Sequence, residues 1–120
     1  MQKVMIVDDS AFMQNRLVKM LESKGYATTT ASDGYEAVRL YRQDTPDAVL
    51  MDVTMPGRNG LEALDEICEM DSEARVIMLT ALNQELIVAQ ALRIGAKDFL
   101  TKPVSPDRLF RTLERVLEYN

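Results

Sequence analysis

The chain alternates short, continuously apolar runs with longer amphipathic stretches. Three runs have the length of a β-strand and contain no polar residue: Val4–Val7, Ala48–Met51 and Val76–Leu79. Continuous apolarity predicts burial on both faces, which is typical of a parallel sheet covered by helices. Two more polar runs, Ala27–Ala31 and Asp98–Thr101, are predicted to be the edge strands of the same sheet.

Helical periodicity fills the intervals between these strands. Apolar residues recur at three- and four-residue spacing around Leu17, Leu64, Ala91 and Leu113, and a shorter, weaker helix is predicted over Gly34–Asp44. Five strand–helix repeats joined by right-handed crossovers predict the fold class. It is α/β, a flavodoxin-like, doubly wound (βα)5 fold with a five-stranded parallel sheet of order 2-1-3-4-5 and helices on both faces.

Residue types with known end preferences mark several helix boundaries. Gly25 and Gly95 stand where helix C-caps are expected. Ser105 is the expected N-cap of the last helix, with Pro106 in its first turn.

Length and composition restrict the classes of protein that this chain can represent. Its 120 residues, 47% of them hydrophobic, suit one domain over residues 1–120. A net charge of −5 argues against a nucleic-acid surface, and no apolar run approaches the roughly 20 residues that span a bilayer. No signal peptide is visible and the single cysteine, Cys68, excludes an internal disulfide, so a cytoplasmic location is predicted.

The chain contains no histidine. This excludes histidine metal sites and the Ser-His-Asp and Cys-His types of catalysis. Any chemistry must therefore use carboxylates, hydroxyls, lysine or the backbone.

Polar residues stand at the carboxyl ends of four predicted strands. Asp8 and Asp9 follow the first strand, Asp52 the third, Thr80 the fourth and Lys102 the fifth. Parallel strands bring these ends to one edge, and ligands of open α/β sheets bind at that edge, where the strand order reverses. We therefore expect the five side chains to form one site.

Charge repulsion predicts what such a site binds. Three carboxylates within a few ångströms need a compensating cation, and Mg²⁺ prefers oxygen ligands. Lys102 adds a second positive charge and Thr80 a hydroxyl donor. Metal, lysine and hydroxyl around one carboxylate suit the stabilisation of a transferring phosphoryl group, with Asp52 as the nucleophile.

Each of these residues also has a simpler interpretation. Asp9 or Ser10 could cap the first helix, and Asp52 could cap or bend a loop. Thr80 alone is an ordinary strand residue, and Lys102 alone is an ordinary surface lysine. Their joint placement at four strand ends favours the phosphoacceptor interpretation.

Four segments together resemble the receiver domain of two-component response regulators, of the chemotaxis (CheY-like) type. They are VMIVDDSAFMQ, PDAVLMDVTMPGRNGLE, VIMLTA and GAKDFLTKP, in this order along essentially the whole chain. The resemblance implies that Asp52 accepts a phosphoryl group from a histidine kinase. It implies further that Asp9 and Asp52 bind Mg²⁺ with the backbone carbonyl of Thr54, while Asp8 acts mainly through water.

The resemblance also implies how the protein signals. Thr80 and Lys102 are expected to contact phosphoryl oxygens, and Phe99 stands at the family's aromatic switch position, expected to rotate inward as Thr80 moves. The altered surface would be that of the fourth helix, fifth strand and fifth helix, which binds a downstream partner. Its basic residues, which could equally be a solvated face, are Arg93, Lys97, Arg108, Arg111 and Arg115.

Some positions depart from the family pattern. Phe99 replaces the tyrosine common in chemotaxis members, so no phenolic hydroxyl is available there. Leu82 is apolar at a position that shapes water access, as Thr54 does at another, and strong self-hydrolysis is not expected. Gly60 and Pro56 are expected to shape the loop after Asp52.

The predicted function is therefore that of a stand-alone receiver, a monomer or weak phosphorylation-dependent dimer. It would be no enzyme in the ordinary sense, because it would catalyse only its own phosphorylation and slow dephosphorylation. A receiver cut from a larger regulator is the alternative, and a receiver that never accepts phosphate is a further one. An aspartyl-phosphate phosphatase is opposed by Thr54, where such enzymes carry a second aspartate. A flavodoxin-like electron carrier is opposed by the acidic cluster.

Overall fold

The chain forms one five-stranded parallel sheet that is covered by helices on both faces. The computed structural model describes residues 1–55 and 59–118. The elements are β1 Lys3–Val7, α1 Ala11–Glu22, β2 Ala27–Ala31, α2 Gly34–Asp44, β3 Ala48–Asp52, α3 Gly60–Met70, β4 Val76–Thr80, α4 Glu85–Ile94, β5 Asp98–Thr101 and α5 Pro106–Glu118. The strand order is β2-β1-β3-β4-β5 with every neighbouring pair parallel, so the predicted fold is confirmed.

Both faces of the central strands are buried, which explains their continuous apolarity. Val4 and Ile6 of β1 point into a core layer formed with α1 and α5. Met5 and Val7 point to the opposite face, into a layer formed with α2, α3 and α4. Because successive side chains of a strand point to opposite faces, a strand between two helical layers has no solvent-facing position.

Two strands extend one residue beyond the carboxyl ends of their apolar runs. Backbone pairing of β3 continues through Asp52, which lies opposite Leu79, and that of β4 continues through Thr80, opposite Thr101. Strand pairing uses backbone groups, so a polar side chain does not prevent it. Both polar residues are thus held rigidly by the sheet.

The predicted ends of α4 and α5 are confirmed, whereas the C-cap of α1 is Ser23 and not Gly25, which lies two residues further on with φ 87°. The Ser10 hydroxyl accepts a hydrogen bond from the Met13 N–H at 3.2 Å, so Ser10 rather than Asp9 caps α1. The Ser105 hydroxyl accepts one from the Arg108 N–H at 3.3 Å, at the start of α5. Gly95 is the C-cap of α4 with φ 144°, a conformation that favours glycine.

Cys68 is only half-buried, although the apolar stripe of α3 predicted a buried side chain. It packs against the core layer of α2, α3 and α4, and burial raises the pKa of its thiol. A raised thiol pKa lowers the thiolate fraction at neutral pH, which agrees with the expectation of an unreactive cysteine. Among the described residues no helix is both long and apolar enough to cross a membrane.

Gly60 begins α3 in direct contact with the end of β3. Its N–H donates to the Val53 carbonyl oxygen at 3.0 Å, and a Cβ at this position would lie 2.3 Å from the Asp52 carbonyl oxygen. A side chain would therefore collide with backbone that cannot move without moving Asp52. Gly60 shapes the loop after β3 as predicted, whereas Pro56 lies outside the described residues.

Tyr41 links α2 to the end of α3. Its side chain is 3% exposed, and its hydroxyl donates to the Asp71 carboxylate at 2.7 Å. Burial, then the hydrogen bond and charge of Asp71, raise the pKa of Tyr41 above its usual range. The folded state therefore favours the protonated phenol.

We expect Gly60→Ala to cost about 3 kcal/mol of folding free energy, because the new methyl group overpacks against backbone. Gly25→Ala is the control, since Gly25 has φ 87° and a Cβ there would meet nothing within 4 Å. That variant should lose only about 1 kcal/mol, through left-handed strain. Urea unfolding measures both values, and equal losses would contradict the steric argument.

Tyr41→Phe should lose about 1–2 kcal/mol, because it leaves the Asp71 carboxylate without this donor. The folded pKa of Tyr41 lies above that of the unfolded chain, about 10. Wild-type stability should therefore fall as pH rises above about 10, and the variant should fall less steeply. Urea unfolding of the variant and the wild type from pH 8 to 11 tests this. Parallel slopes for Tyr41→Phe and the wild type would contradict it.

Candidate functional site

The carboxyl ends of β1, β3, β4 and β5 bring the predicted side chains to one edge of the sheet. Asp8 is 1% exposed, Asp52 7% and Thr80 2%, whereas Asp9 is exposed. One carboxylate oxygen from each of Asp8, Asp9 and Asp52 lies within 4.8 Å of the other two. The predicted clustering of the three aspartates is therefore confirmed.

Lys102 lies between the two buried carboxylates. Its Nζ is 3.3 Å from Asp8 Oδ2 and 3.2 Å from Asp52 Oδ2, and the lysine side chain is 27% exposed. The simple interpretation of Lys102 as a solvated surface lysine is therefore wrong. One ammonium group serves two carboxylates, so the buried part of the site keeps a net negative charge.

Burial and charge act in opposite directions on these groups. Burial is the largest influence on Asp52 and raises its pKa, against the lowering effect of the Lys102 charge. The neighbouring Asp8 charge raises it further. Burial alone would lower the pKa of Lys102, yet Asp52 and Asp8 together raise it. Lysine is thus held in its charged form, while ionised Asp52 is incompletely compensated.

The donor set fits a hard divalent cation. Carboxylate oxygens are the ligands that Mg²⁺ prefers, and it commonly binds through one or two carboxylates together with waters and phosphate oxygens. Asp8 and Asp52 supply buried oxygens, and Asp9 supplies an exposed one that a hydrated ion can reach. A divalent charge would also offset the negative charge that Lys102 leaves uncompensated.

Two aspartate side chains accept hydrogen bonds from backbone N–H groups two residues further along the chain. The Ser10 N–H donates to Asp8 Oδ1 at 2.9 Å, which fixes that carboxylate at the strand end. The Thr54 N–H donates to Asp52 Oδ1 at 3.3 Å. Asp52 therefore has one oxygen directed to the loop after β3 and the other to Lys102.

Phe99 lies away from the aspartates, on β5. Its ring is 38% exposed and lines a cleft of about 300 Å³ between β5 and the loop from Ala81 to Gln84. Thr80 lines the same cleft. The structure therefore brings the two predicted switch residues to one cleft, with Phe99 in a partly exposed position.

Sequence reasoning missed Gln14 of α1. Its Nε2 lies 2.6 Å from the Asp8 carbonyl oxygen, 3.1 Å from the Ala31 carbonyl oxygen and 3.2 Å from Ser32 Oγ. This amide joins the ends of β1 and β2 directly beside the aspartates. A glutamine in the first turns of a helix gives no signal in the sequence, because its partners here are two backbone carbonyl groups and a serine hydroxyl that only the folded chain brings together.

Gln84, at the N-cap position of α4, was also missed. Its Oε1 accepts from the Ala81 N–H at 2.7 Å, and its Nε2 donates to Thr54 Oγ1 at 3.3 Å. The side chain therefore connects the loop after β4 to the loop after β3. Only the folded arrangement reveals the connection, since Thr54 and Gln84 are far apart in sequence.

Comparison with known proteins agrees with this geometry. The family model for the response regulator receiver domain matches residues 4–114. The chemotaxis protein CheY of Thermotoga maritima is 41% identical over 116 residues, which cover 96% of this chain and 97% of that protein.

Solved structures give the same result. Chemotaxis protein CheY4 of Vibrio cholerae superposes with a TM-score of 0.91 at 31% identity, covering 97% of this chain and 98% of that one. NtrX of Brucella abortus superposes with a TM-score of 0.92 at 32% identity over 98% of this chain, which spans 27% of the NtrX chain.

Mg²⁺ at ten times its dissociation constant should stabilise the wild type by about 1.4 kcal/mol, because the ion binds only the folded cluster. Asp9→Asn should remove most of this gain, since it deletes a ligand while leaving both buried carboxylates in place. Asp65→Asn, an exposed carboxylate on α3, is the matched control. Thermal unfolding with and without Mg²⁺ measures the gain, and an unchanged gain in Asp9→Asn would contradict this site.

Proposed function

This chain belongs to the response regulator receiver domain family, and on that premise we propose that it is a phosphorylation-driven switch with Asp52 as phosphoacceptor. A histidine kinase is the phosphodonor. The observation that carries the proposal is the arrangement of Asp52, held at the end of β3 against Lys102 and within 4.8 Å of two further carboxylates. The ion that this cluster suits is Mg²⁺.

The proposed transfer moves one phosphoryl group from nitrogen to oxygen. A carboxylate oxygen of Asp52 forms the new P–O bond while the P–N bond of the donor phosphohistidine breaks, and that electron pair returns to the donor's imidazole. Asp9, Asp52 and the Thr54 carbonyl would hold Mg²⁺, with Asp8 acting mainly through water, and the ion would offset charge on the phosphoryl oxygens. The Lys102 ammonium would also offset this charge and keeps Asp52 in place, and the Thr80 hydroxyl would donate to a phosphoryl oxygen.

Dephosphorylation by hydrolysis requires a water molecule and no further catalytic group. A water oxygen would bond to phosphorus as the P–O bond to Asp52 breaks, which regenerates the carboxylate and releases inorganic phosphate. Leu82, two residues after Thr80, is 75% exposed and carries no group that orients a water. We therefore propose slow self-dephosphorylation, and a protein that acts on no substrate but its own acyl phosphate.

The proposed output is a change in the surface of α4, β5 and α5. Thr80, at the end of β4, and Phe99 of β5 line one cleft, so a movement of Thr80 alters the space that the Phe99 ring can occupy. The altered surface binds a downstream protein. Likeness to CheY proteins over nearly the whole chain supports a chemotaxis-type, stand-alone regulator in the cytoplasm, monomeric or weakly dimeric on phosphorylation.

A second role rests on a specific observation. The chain also matches the receiver portion of NtrX, of which it spans 27%. A receiver domain of a larger regulator would use the same site and surface to control an attached output domain. The chemistry at Asp52 would be identical in the two cases.

Intact-mass spectrometry after incubation with acetyl phosphate tests the phosphoacceptor directly. We expect a Mg²⁺-dependent gain of one phosphoryl group in the wild type and none in Asp52→Asn. Asp65→Asn, which removes an equal charge from the exposed face of α3, should be phosphorylated like the wild type. A gain that persists in Asp52→Asn would overturn the assignment of the acceptor.

Absence of any gain is resolved by a second probe. Beryllofluoride mimics a phosphoryl group on a carboxylate and does not hydrolyse away. A Mg²⁺-dependent beryllofluoride complex would then show that the site is functional and that the phosphorylated protein hydrolyses before its mass can be measured. Failure of both probes would overturn the proposed function.

A further inference from the structure

A continuous series of hydrogen bonds connects the phosphoacceptor to the loop after β4. The Thr54 N–H donates to Asp52 Oδ1 at 3.3 Å, and Thr54 Oγ1 accepts from Gln84 Nε2 at 3.3 Å. Gln84 Oε1 in turn accepts from the Ala81 N–H at 2.7 Å. We call this series, from Asp52 through Thr54 and Gln84 to Ala81, the interloop bridge.

The loop that the interloop bridge holds has little packing of its own. Ala81, Leu82 and Asn83 are exposed, with Leu82 75% exposed. Asn83 has φ 68°, a left-handed conformation that is less favourable for a residue with a side chain. The loop lines a cleft of about 300 Å³, which leaves space for it to move. Hydrogen bonds rather than apolar contacts must therefore contribute much of what fixes its position.

We propose that Gln84 is a positioning residue that stabilises the resting arrangement of the β4–α4 loop through the interloop bridge. Occupation of Asp52 by a phosphoryl group releases it. This inference rests on the proposed function, because it concerns how that site is coupled to the loop.

Competition for two donors explains the release. In the unphosphorylated protein the Thr54 N–H donates to Asp52 Oδ1. A phosphoryl group on Asp52 would add charged oxygens beside this N–H. The Ala81 N–H lies one residue beyond Thr80, at the same edge of the sheet, and its present acceptor is a neutral amide oxygen. Hydrogen bonds to charged acceptors are roughly twice as strong as neutral ones. A phosphoryl oxygen thus displaces Gln84 Oε1 from the Ala81 N–H.

The bridge therefore opposes occupation of the site, and its removal should favour occupation. Gln84 makes two exposed hydrogen bonds in the resting state. Loss of both, at the low end of the range for hydrogen bonds, shifts such an equilibrium by about fivefold. Gln84→Ala should accordingly bind beryllofluoride about fivefold more tightly than the wild type. Most damaging substitutions weaken binding, so tighter binding without a gain in thermal stability is a result that a merely structural role of Gln84 would not produce.

Isothermal titration calorimetry with beryllofluoride at saturating Mg²⁺ is the test. Gln90→Ala is the matched control, since Gln90 is an exposed glutamine on the same helix and should leave the affinity unchanged. Thr54→Val removes the hydroxyl that Gln84 contacts and keeps the backbone carbonyl. Thr54→Val should also tighten beryllofluoride binding. The double variant should bind no more tightly than Gln84→Ala alone, because both changes break the same bridge.

Each contrary result has a distinct meaning. Unchanged or weaker binding by Gln84→Ala, with normal binding by the wild type, would overturn the role of Gln84 and leave the proposed function intact. Fully additive effects in the double variant would overturn the connection through Thr54. Failure of the wild type itself to bind beryllofluoride would overturn the proposed function, and the role of Gln84 with it.

Discussion

Two buried carboxylates share one ammonium group at the carboxyl edge of the sheet. Asp8 and Asp52 each lie within 3.3 Å of Lys102, and neither is more than 7% exposed. Burial of a charge is costly unless the charge is paired, and one lysine cannot fully compensate two aspartates. The fold therefore holds a site that is short of positive charge, and the exposed Asp9 lies where a cation can reach all three carboxylates.

The parallel sheet is what makes this arrangement stable. Asp52 belongs to β3 and is fixed by strand pairing, while Asp8 directly follows β1. Helices on both faces keep the strands in place, and close approach of Gly60 leaves no room for the end of β3 to relax. A cluster of like charges on mobile loops would separate. Here the repulsion cannot be relieved by movement, so it is available to favour cation binding.

Much of this organisation could be predicted from the sequence, for a definite reason. Continuous apolar runs reveal strands buried on both faces, and parallel topology then assigns every strand end to one edge. Asp8, Asp52, Thr80 and Lys102 were placed correctly by that reasoning alone. The contacts of Gln14 and Gln84 could not be found in this way, because each amide bonds backbone or hydroxyl groups of distant segments. Such contacts depend on side-chain geometry, about which hydrophobic periodicity gives no information.

The two kinds of residue also differ in what they can do. The aspartates and Lys102 lie at the ends of strands, and rigid placement suits groups that must stabilise charge without rearrangement. Gln84 connects two loops, one of which is exposed and borders an open cleft. A hydrogen bond between loops can be exchanged for a stronger one with little disturbance of the core. The fold thus places the charge-stabilising groups on rigid strand ends. It places Gln84 beside a loosely held loop that can rearrange.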